Sequence, residues 1–313
     1  MGALVAREAG FIAGLDVALR VFTLVDPEVE VPRIVTHGSR VEPGHDLAVV
    51  AGPARSLLAA ERLALNLLGQ LSGVATSTRA LVDRVAGTKA TIIDTRKTVP
   101  GMRSLQKAAV LAGGGGNHRM GLYDAVLIKD NHIAAAGSAA AAVTSARAYV
   151  GPDTKVEVEI DSVDDLDAVI EAGADIVMLD NMDPETMRAA VELAAGRCVL
   201  EASGGITLET VRAVAETGVD WISVGWITHS APALDVALDF WSTCTRGDRS
   251  QILLPDGNAD FQILDCERPD GESTGVVVLA LVPRDDPEVA VSVFLQFAEI
   301  QDLSSLPTIL GTL

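Results

Sequence analysis

Apolar residues recur along this chain in two rhythms. Between residues 54 and 86, Leu57, Leu58, Leu63, Leu67, Leu68 and Leu71 return at three- and four-residue steps, which predicts a long helix. Gly69 and Gly73 weaken that pattern and leave two shorter helices as an alternative. Residues 1–55 read as β-rich: Leu4-Val5 and residues 13–22, 29–35 and 46–51 are short apolar stretches, broken by turn signals at Glu42-Pro43-Gly44 and Gly52-Pro53. From Lys89 onward, strand-like runs recur at 90–94, 125–129, 155–160, 176–180, 198–202 and 221–225. The last four begin about 21 to 23 residues apart, with helical patterns at 163–172, 184–195 and 208–217 between them. Alternation of nearly continuous apolar strands with helices predicts parallel βα units, closed as a barrel or open as a doubly wound sheet.

The ends of these strands change the picture from fold to function. They finish in Asp94-Thr95-Arg96-Lys97, Lys129-Asp130-Asn131-His132, Glu159-Ile160-Asp161, Asp180-Asn181, Ser203-Gly204-Gly205 and Gly225-Trp226-Ile227-Thr228-His229. Ionisable, polar or glycine residues stand at every carboxyl end, which is the end that carries the active site in a parallel α/β barrel.

Charge sharpens this. The formal net charge is −19, yet residues 96–129 hold six Lys/Arg and one acid, Asp124. Cations gathered against the global balance predict a site for a small polyanion. The acidic surface as a whole argues against nucleic-acid and anionic-membrane partners. The longest apolar runs, such as residues 275–283, are too short to span a bilayer. No charged segment leads into an apolar core at the start, so no signal peptide is expected. Cys198, Cys244 and Cys266 are few, odd in number and widely spaced, which fits a reducing cytoplasm and neither a disulfide framework nor a zinc site. Residues 248–313 carry twelve acids and three arginines and read as a small β appendage of unassigned role, with runs at 260–265, 275–283 and 289–297 and turns at Asp256-Gly257 and Asp270-Gly271.

Each candidate has a chemistry. Arg96 can fork onto a carboxylate and Lys97 acts as a point charge, with Pro100-Gly101 supplying the turn that lets both face a mouth. Gly113–Gly116 leads into Asn117-His118-Arg119, a loop ending in donors or a helix cap and linker. Lys129 suits a phosphate, a Schiff base or a salt bridge, and His132 beside it reads as structural. Glu159, Asp161 and Asp180 can hold Mg²⁺ through water and ribose hydroxyls, act as a base, or balance the basic loop. Ser203-Gly204-Gly205 and Gly225 with Thr228-His229-Ser230 precede helices and read as a phosphate cradle. The set fits one substrate bearing phosphates and a ribose-like polyol beside a second bearing carboxylates.

The stretches ERLALNLLGQLSGVAT, DTRKTVPGMRSLQKAAVLAGGGGNHRMGLYDAVLIKDNH, VEVEIDS, MLDN, EASGGI and VGWITHS resemble the quinolinate phosphoribosyltransferase family over about residues 4–241. The resemblance implies transfer of the phosphoribosyl group from phosphoribosyl pyrophosphate to quinolinate, giving nicotinate mononucleotide, pyrophosphate and CO₂ with Mg²⁺, on the route to NAD. It implies an N-terminal α/β sandwich with a helical connector (residues 1–88) and an incomplete TIM-like α/β barrel (89–243); the acidic β-rich extension (244–313) has no counterpart in it and no assigned role. It implies a homodimer, or a higher oligomer, in which Arg62 reaches the partner's site. Arg96, His118 and Arg119, with Lys97 close by, would bind the quinolinate carboxylates. Lys129, Glu159 and Asp180 would serve the pyrophosphate, ribose and metal, and Ser203, Gly204, Gly205, Gly225 and His229 the phosphate. The family's helical lead-in has no counterpart before Leu4, which leaves a misplaced start or a shortened cap as alternatives. Competing expectations are a molybdate-transport-associated paralogue of the same fold, a Schiff-base aldolase using Lys129, and a catalytically disabled binding protein.

Overall fold

The computed structural model describes residues 1–32, 35–240, 243–254, 257–267, 273–282 and 291–296. The chain opens with β1 (Gly2–Ala6), β2 (Gly10–Phe11), α1 (Leu15–Val25), β3 (Arg40–Val41), β4 (Asp46–Val50) and α2 (Ala54–Arg84). The barrel strands follow in βα alternation: β5 (Thr91–Ile93), α3 (Arg103–Ala112), β6 (Val126–Ile128), α4 (Asp130–Ala136), α5 (Ala139–Val150), β7 (Val156–Ile160), α6 (Leu166–Glu171), β8 (Ile176–Asp180), α7 (Pro184–Ala194), β9 (Val199–Ser203), α8 (Val211–Ala215), β10 (Trp221–Ser223) and α9 (Trp226–His229). β11 (Val236–Phe240) and four tail strands, β12 (Thr243–Leu254), β13 (Gly257–Glu267), β14 (Ser273–Val282) and β15 (Val291–Gln296), complete the order.

The six central strands pair in parallel in the order β5-β10-β9-β8-β7-β6. That order sets the last strand beside the first, as a closing barrel does, and β5 and β6 remain unpaired with each other. Gly116 makes a single parallel bridge to Ile93 on β5. The result is an incomplete barrel whose strand ends gather the polar residues.

One expectation changes and two gain detail. Residues 13–22 form most of α1, not a strand. Leu15, Ala18, Leu19 and Phe22 are buried at helical spacing, and a short apolar run does not by itself separate the two periods. α2 is one helix of 31 residues despite its glycines. A Cβ on Gly73 would lie 1.9 Å from the Pro232 carbonyl oxygen, and one on Gly69 2.8 Å from that of Leu234, so the glycines admit a crossing segment. The boundary expected at residue 88 does not divide the packing. Leu57, Ala60, Ala64 and Leu68 of α2 belong to the N-terminal core, while Leu71, Val74, Ala75 and Leu81 belong to the barrel core. β11 likewise returns from the barrel to pair antiparallel with β1. Burying each such leucine stabilises by roughly 1.5–3 kcal/mol, so one helix serves both cores.

The tail strands form an antiparallel sheet in the order β12-β13-β14-β15. The turns expected at Asp256-Gly257 and Asp270-Gly271, the first part of the run at 289–297 and residues 33–34 of the run at 29–35 fall at least partly outside the described residues.

Candidate active site

The loop after β5 turns at Val99-Pro100-Gly101-Met102, where the Met102 amide donates to the Val99 carbonyl (3.0 Å) and Gly101 takes φ +77°. This is the turn that Pro-Gly predicts. It leaves Arg96 and Lys97 lining a cavity of about 560 Å³ together with His118, Arg119, Lys129, Glu159, Asp180 and Ser203. Leu122, Leu127 and Met178 supply its apolar wall. A second cavity of about 570 Å³ shares Lys97, Lys129, Glu159, Asp180 and Ser203 and adds Gly204, Gly205, Gly225 and His229. The shared residues form the boundary between a cation-rich half and a glycine-lined half.

In the cation-rich half, Arg96 and Arg119 each keep a buried Nε with no protein partner among the described residues. Arg119 donates through Nη1 to the Ala125 carbonyl (3.0 Å). Burial lowers its pKa, and the charge of Arg96 lowers it further. Two like charges held close with free donors make a receptor for a carboxylate-bearing anion.

The glycines of 113–116 serve a different purpose from the ligand contact that the run suggests. A Cβ on Gly113 would lie 2.4 Å from the Ala75 carbonyl oxygen, and one on Gly115 2.8 Å from Thr78 Cγ2. They let the loop pack against α2, so the chain arrives at His118 on a firm path.

Beneath His118 lie Glu157 and Glu201, 1% and 0% exposed. The imidazole Nε2 is 2.8 Å from a Glu157 oxygen and 3.4 Å from one of Glu201. Burial would lower the His118 pKa, but the two carboxylates more than reverse this and raise it to about 10. The Arg119 amide donates to Nδ1 (2.7 Å), so Nε2 is the nitrogen whose proton faces the acids. Although the three side chains lie within metal-ligand reach of one another, a protonated Nε2 has no lone pair for an ion. Both ring nitrogens are therefore directed at protein groups. Sequence reasoning missed Glu157 and Glu201. Their signal was an acid inside an apolar strand, Val156-Glu157-Val158-Glu159, where the period of two puts Glu157 on the same face as Glu159.

At the boundary, Lys129 forms an ion pair with Glu159. An amine held as a cation by a carboxylate is a poor Schiff-base nucleophile, which weighs against the aldolase expectation. His132 accepts from the Lys129 amide through Nδ1 (2.9 Å), a local structural bond, while also lining the first cavity. Asp180 accepts from the Asn181 side chain (2.8 Å). Asp161 does not line either cavity.

In the glycine-lined half, Gly204 and Gly205 take φ +101° and +59°. A Cβ on Gly204 would lie 2.1 Å from Asn181 Oδ1, whereas one on Gly205 would meet open space. That is a backbone turned outward for close approach of a ligand. Lys97 reaches toward Gly225, and Thr228 Oγ1 donates to the Lys97 carbonyl (2.8 Å), tying the two halves together.

Arg62 lies outside this group. It is exposed on α2, beside Glu61 at 3.8 Å, and lines neither cavity of its own chain. Leu58 and Leu63 flank it and are also exposed.

Comparison with known proteins follows the same outline. Residues 1–72 match the family model "Quinolinate phosphoribosyl transferase, N-terminal domain" and residues 74–239 the C-terminal domain of the same family. The chain is 48% identical over 244 residues to a nicotinate-nucleotide pyrophosphorylase [carboxylating] of Mycobacterium leprae, covering 76% of this chain and 85% of that protein. It is 45% identical over 236 residues to a probable nicotinate-nucleotide pyrophosphorylase [carboxylating] of Bacillus subtilis, covering 75% and 82%. The crystal structure of NadC from Streptococcus pyogenes superposes with a TM-score of 0.74 at 44% identity, over 76% of this chain and 85% of that one.

Proposed function

Because the chain belongs to the quinolinate phosphoribosyltransferase family, we propose that its barrel mouth joins quinolinate to phosphoribosyl pyrophosphate and releases nicotinate mononucleotide, pyrophosphate and CO₂. This is a pentosyl transfer of NAD biosynthesis. The observation that carries the assignment of sites is that Arg96 and Arg119, each with a buried, partnerless Nε, line one half of a divided cavity whose other half is open glycine backbone.

Arg96 and Arg119 hold the two carboxylates of the pyridine, with Leu127 and Met178 against its ring. Gly204, Gly205, Gly225 and His229 hold the 5′-phosphate, and Lys97 and Lys129 lie between the two substrates. Departure of pyrophosphate leaves positive charge on the ribose ring, which Glu159 and Asp180 offset. The pyridine nitrogen forms the new bond to C1 of the ribose. Its positive charge then eases cleavage of the bond to the 2-carboxylate. The electron pair stays on C2, CO₂ leaves, and C2 takes a proton.

Glu159 and Asp180 offer oxygen donors only, on neighbouring strands β7 and β8, which suits a hard cation such as Mg²⁺. Mg²⁺ bound there supplies charge neutralisation for the pyrophosphate. Exposed Arg62, flanked by exposed leucines, supports a homodimer in which each chain lends this arginine to its partner's carboxylate receptor. No helix among the described residues is long and apolar enough to cross a membrane, in keeping with cytoplasmic work.

The test is turnover by the full chain with quinolinate, phosphoribosyl pyrophosphate and Mg²⁺, following nicotinate mononucleotide and CO₂. Product is expected. An inert protein that binds both substrates would instead be a disabled relative. For the dimer, inactive Arg62→Ala and Arg96→Ala chains are mixed. Recovery of activity on mixing is expected, because one site of each heterodimer is intact. No recovery after demonstrated subunit exchange would refute the shared site.

A further inference from the structure

Two of the six cations in the basic stretch line neither half of the site. Arg103 and Lys107 stand four residues apart on α3, about one helical turn, and both reach the backbone of the loops that carry Arg96 and Arg119. Arg103 donates through Nη2 to the Arg96 carbonyl (3.3 Å), through Nη1 to the Met120 carbonyl (3.1 Å) and through Nε to Thr98 Oγ1 (3.1 Å). Lys107 pairs with the Asp94 carboxylate and donates to the His118 carbonyl (2.8 Å). Asp94 accepts the His118 amide (2.9 Å), so the residue before Arg119 is held at both its N–H and its C=O. Asn117, with its amide nitrogen turned inward, donates to Asp94 (2.7 Å) and to the Lys107 carbonyl (3.0 Å). Lys107 and Asp94 are 1% and 0% exposed.

Each of the two cations thus fastens both arginine loops to the same helix. A helix turn is a rigid ruler, whereas two loops bearing like charges would drift apart under their own repulsion. Buried charge pairs contribute little net stability compared with apolar packing, so their use here points to positioning.

We propose that α3, through Arg103 and Lys107, sets the separation of Arg96 and Arg119 and thereby selects a ring with carboxylates on adjacent atoms over its positional isomers. The proposal rests on the quinolinate reading above. Arg103 and Lys107 are positioning residues that act through the loops they grip.

The test measures binding of quinolinate (pyridine-2,3-dicarboxylate), pyridine-2,4-dicarboxylate and phosphoribosyl pyrophosphate by calorimetry on the full chain. The wild type is expected to prefer the 2,3-isomer at least tenfold. Arg103→Met should weaken quinolinate about tenfold, bring the isomer ratio toward one and leave phosphoribosyl pyrophosphate within twofold. Arg103→Lys, which keeps an ammonium donor, should recover part of the ratio. Asp94→Asn/Lys107→Met should behave like Arg103→Met. If that double variant does not fold, Arg103→Met, at a half-buried position, decides alone. An unchanged isomer ratio overturns the proposal, and so does an equal loss for all three compounds, which would mean general loosening. A wild type that binds no quinolinate overturns the reading beneath it, which is a separate outcome from a wild type that binds while the variants match it.

Discussion

The two ends of the barrel carry the same residue types and treat them differently. At the amino end of the strands, Lys89 bonds Asp220 (2.8 Å), Lys155 bonds Asp175 (2.9 Å) and Arg147 pairs with Asp175 as well. Each of those cations has an acid, and the Asp220 and Asp175 carboxylates also accept strand amides, from Leu200 and Val156. At the carboxyl end, Arg96 and Arg119 keep buried donors that no group among the described residues satisfies. A pocket lies at both ends. Charge and concavity therefore do not separate them, and the unsatisfied donors do. Saturated charge holds strands in register, whereas open donor capacity is what a ligand can complete.

The sharpest way to break this contrast is Arg96→Ala. It removes half of the proposed carboxylate receptor, and loss of one forked charge-assisted contact is worth about 2.7 kcal/mol, or about a hundredfold in kcat/KM. Folding stability should hold or rise, because a half-buried like-charge neighbour of Arg119 is gone. A thermal transition that falls along with activity would mean the upper arginines are structural, like the lower cations, and the contrast would fail.

Gly204→Ala probes the other half of the site with a smaller expected effect. The added methyl meets Asn181 at a backbone φ of +101°. The strain should displace the 203–205 loop and raise the KM for phosphoribosyl pyrophosphate about tenfold. Quinolinate affinity, measured by calorimetry, should stay within twofold. Equal losses for both substrates would show that the two halves are not separable.

How much of this could be read from the chain alone depends on how local the determinant is. The βα alternation and the polar strand ends are local patterns, and they point to parallel βα units and to most of the residues that the cavities gather, while the choice of a barrel over an open sheet rests on the family resemblance. α1 was misread because eleven residues of mixed apolar character satisfy both periods until burial is known. Glu157 and Glu201 were passed over because an acid buried in a strand is recognisable only when its partner is, and His118 is far away in sequence. Lys107 and Arg103 were grouped with the ligand cations because charge density along the chain does not say which way a side chain points from a helix. Arg62 shows the same limit: nothing in its helical setting distinguishes it from an ordinary surface arginine, and its own chain still leaves it exposed. The glycine run was legible as special but not for the right reason, since close packing and ligand approach call for the same residue.

Asp175→Asn sharpens the comparison from the lower end, with the smallest effect. Burial would raise the Asp175 pKa, but the bonds from the Val156 amide (2.9 Å), Lys155 and Arg147 outweigh it and hold the carboxyl below its ordinary value. A folded-state pKa below the unfolded one stabilises the fold above the unfolded value, and that stabilisation is lost as pH falls through the folded one. The pair is partly open to solvent, so the substitution should cost only about 1 kcal/mol at pH 7. Urea unfolding should show that cost at pH 7 and at pH 5, and a shrinking difference from wild type below about pH 4. The KM for both substrates should not change. A cost independent of pH would mean that Asp175 works through packing and not charge. A changed KM would mean the two ends of the barrel are coupled, and the division between a saturated end and an open one would no longer explain where the ligand goes.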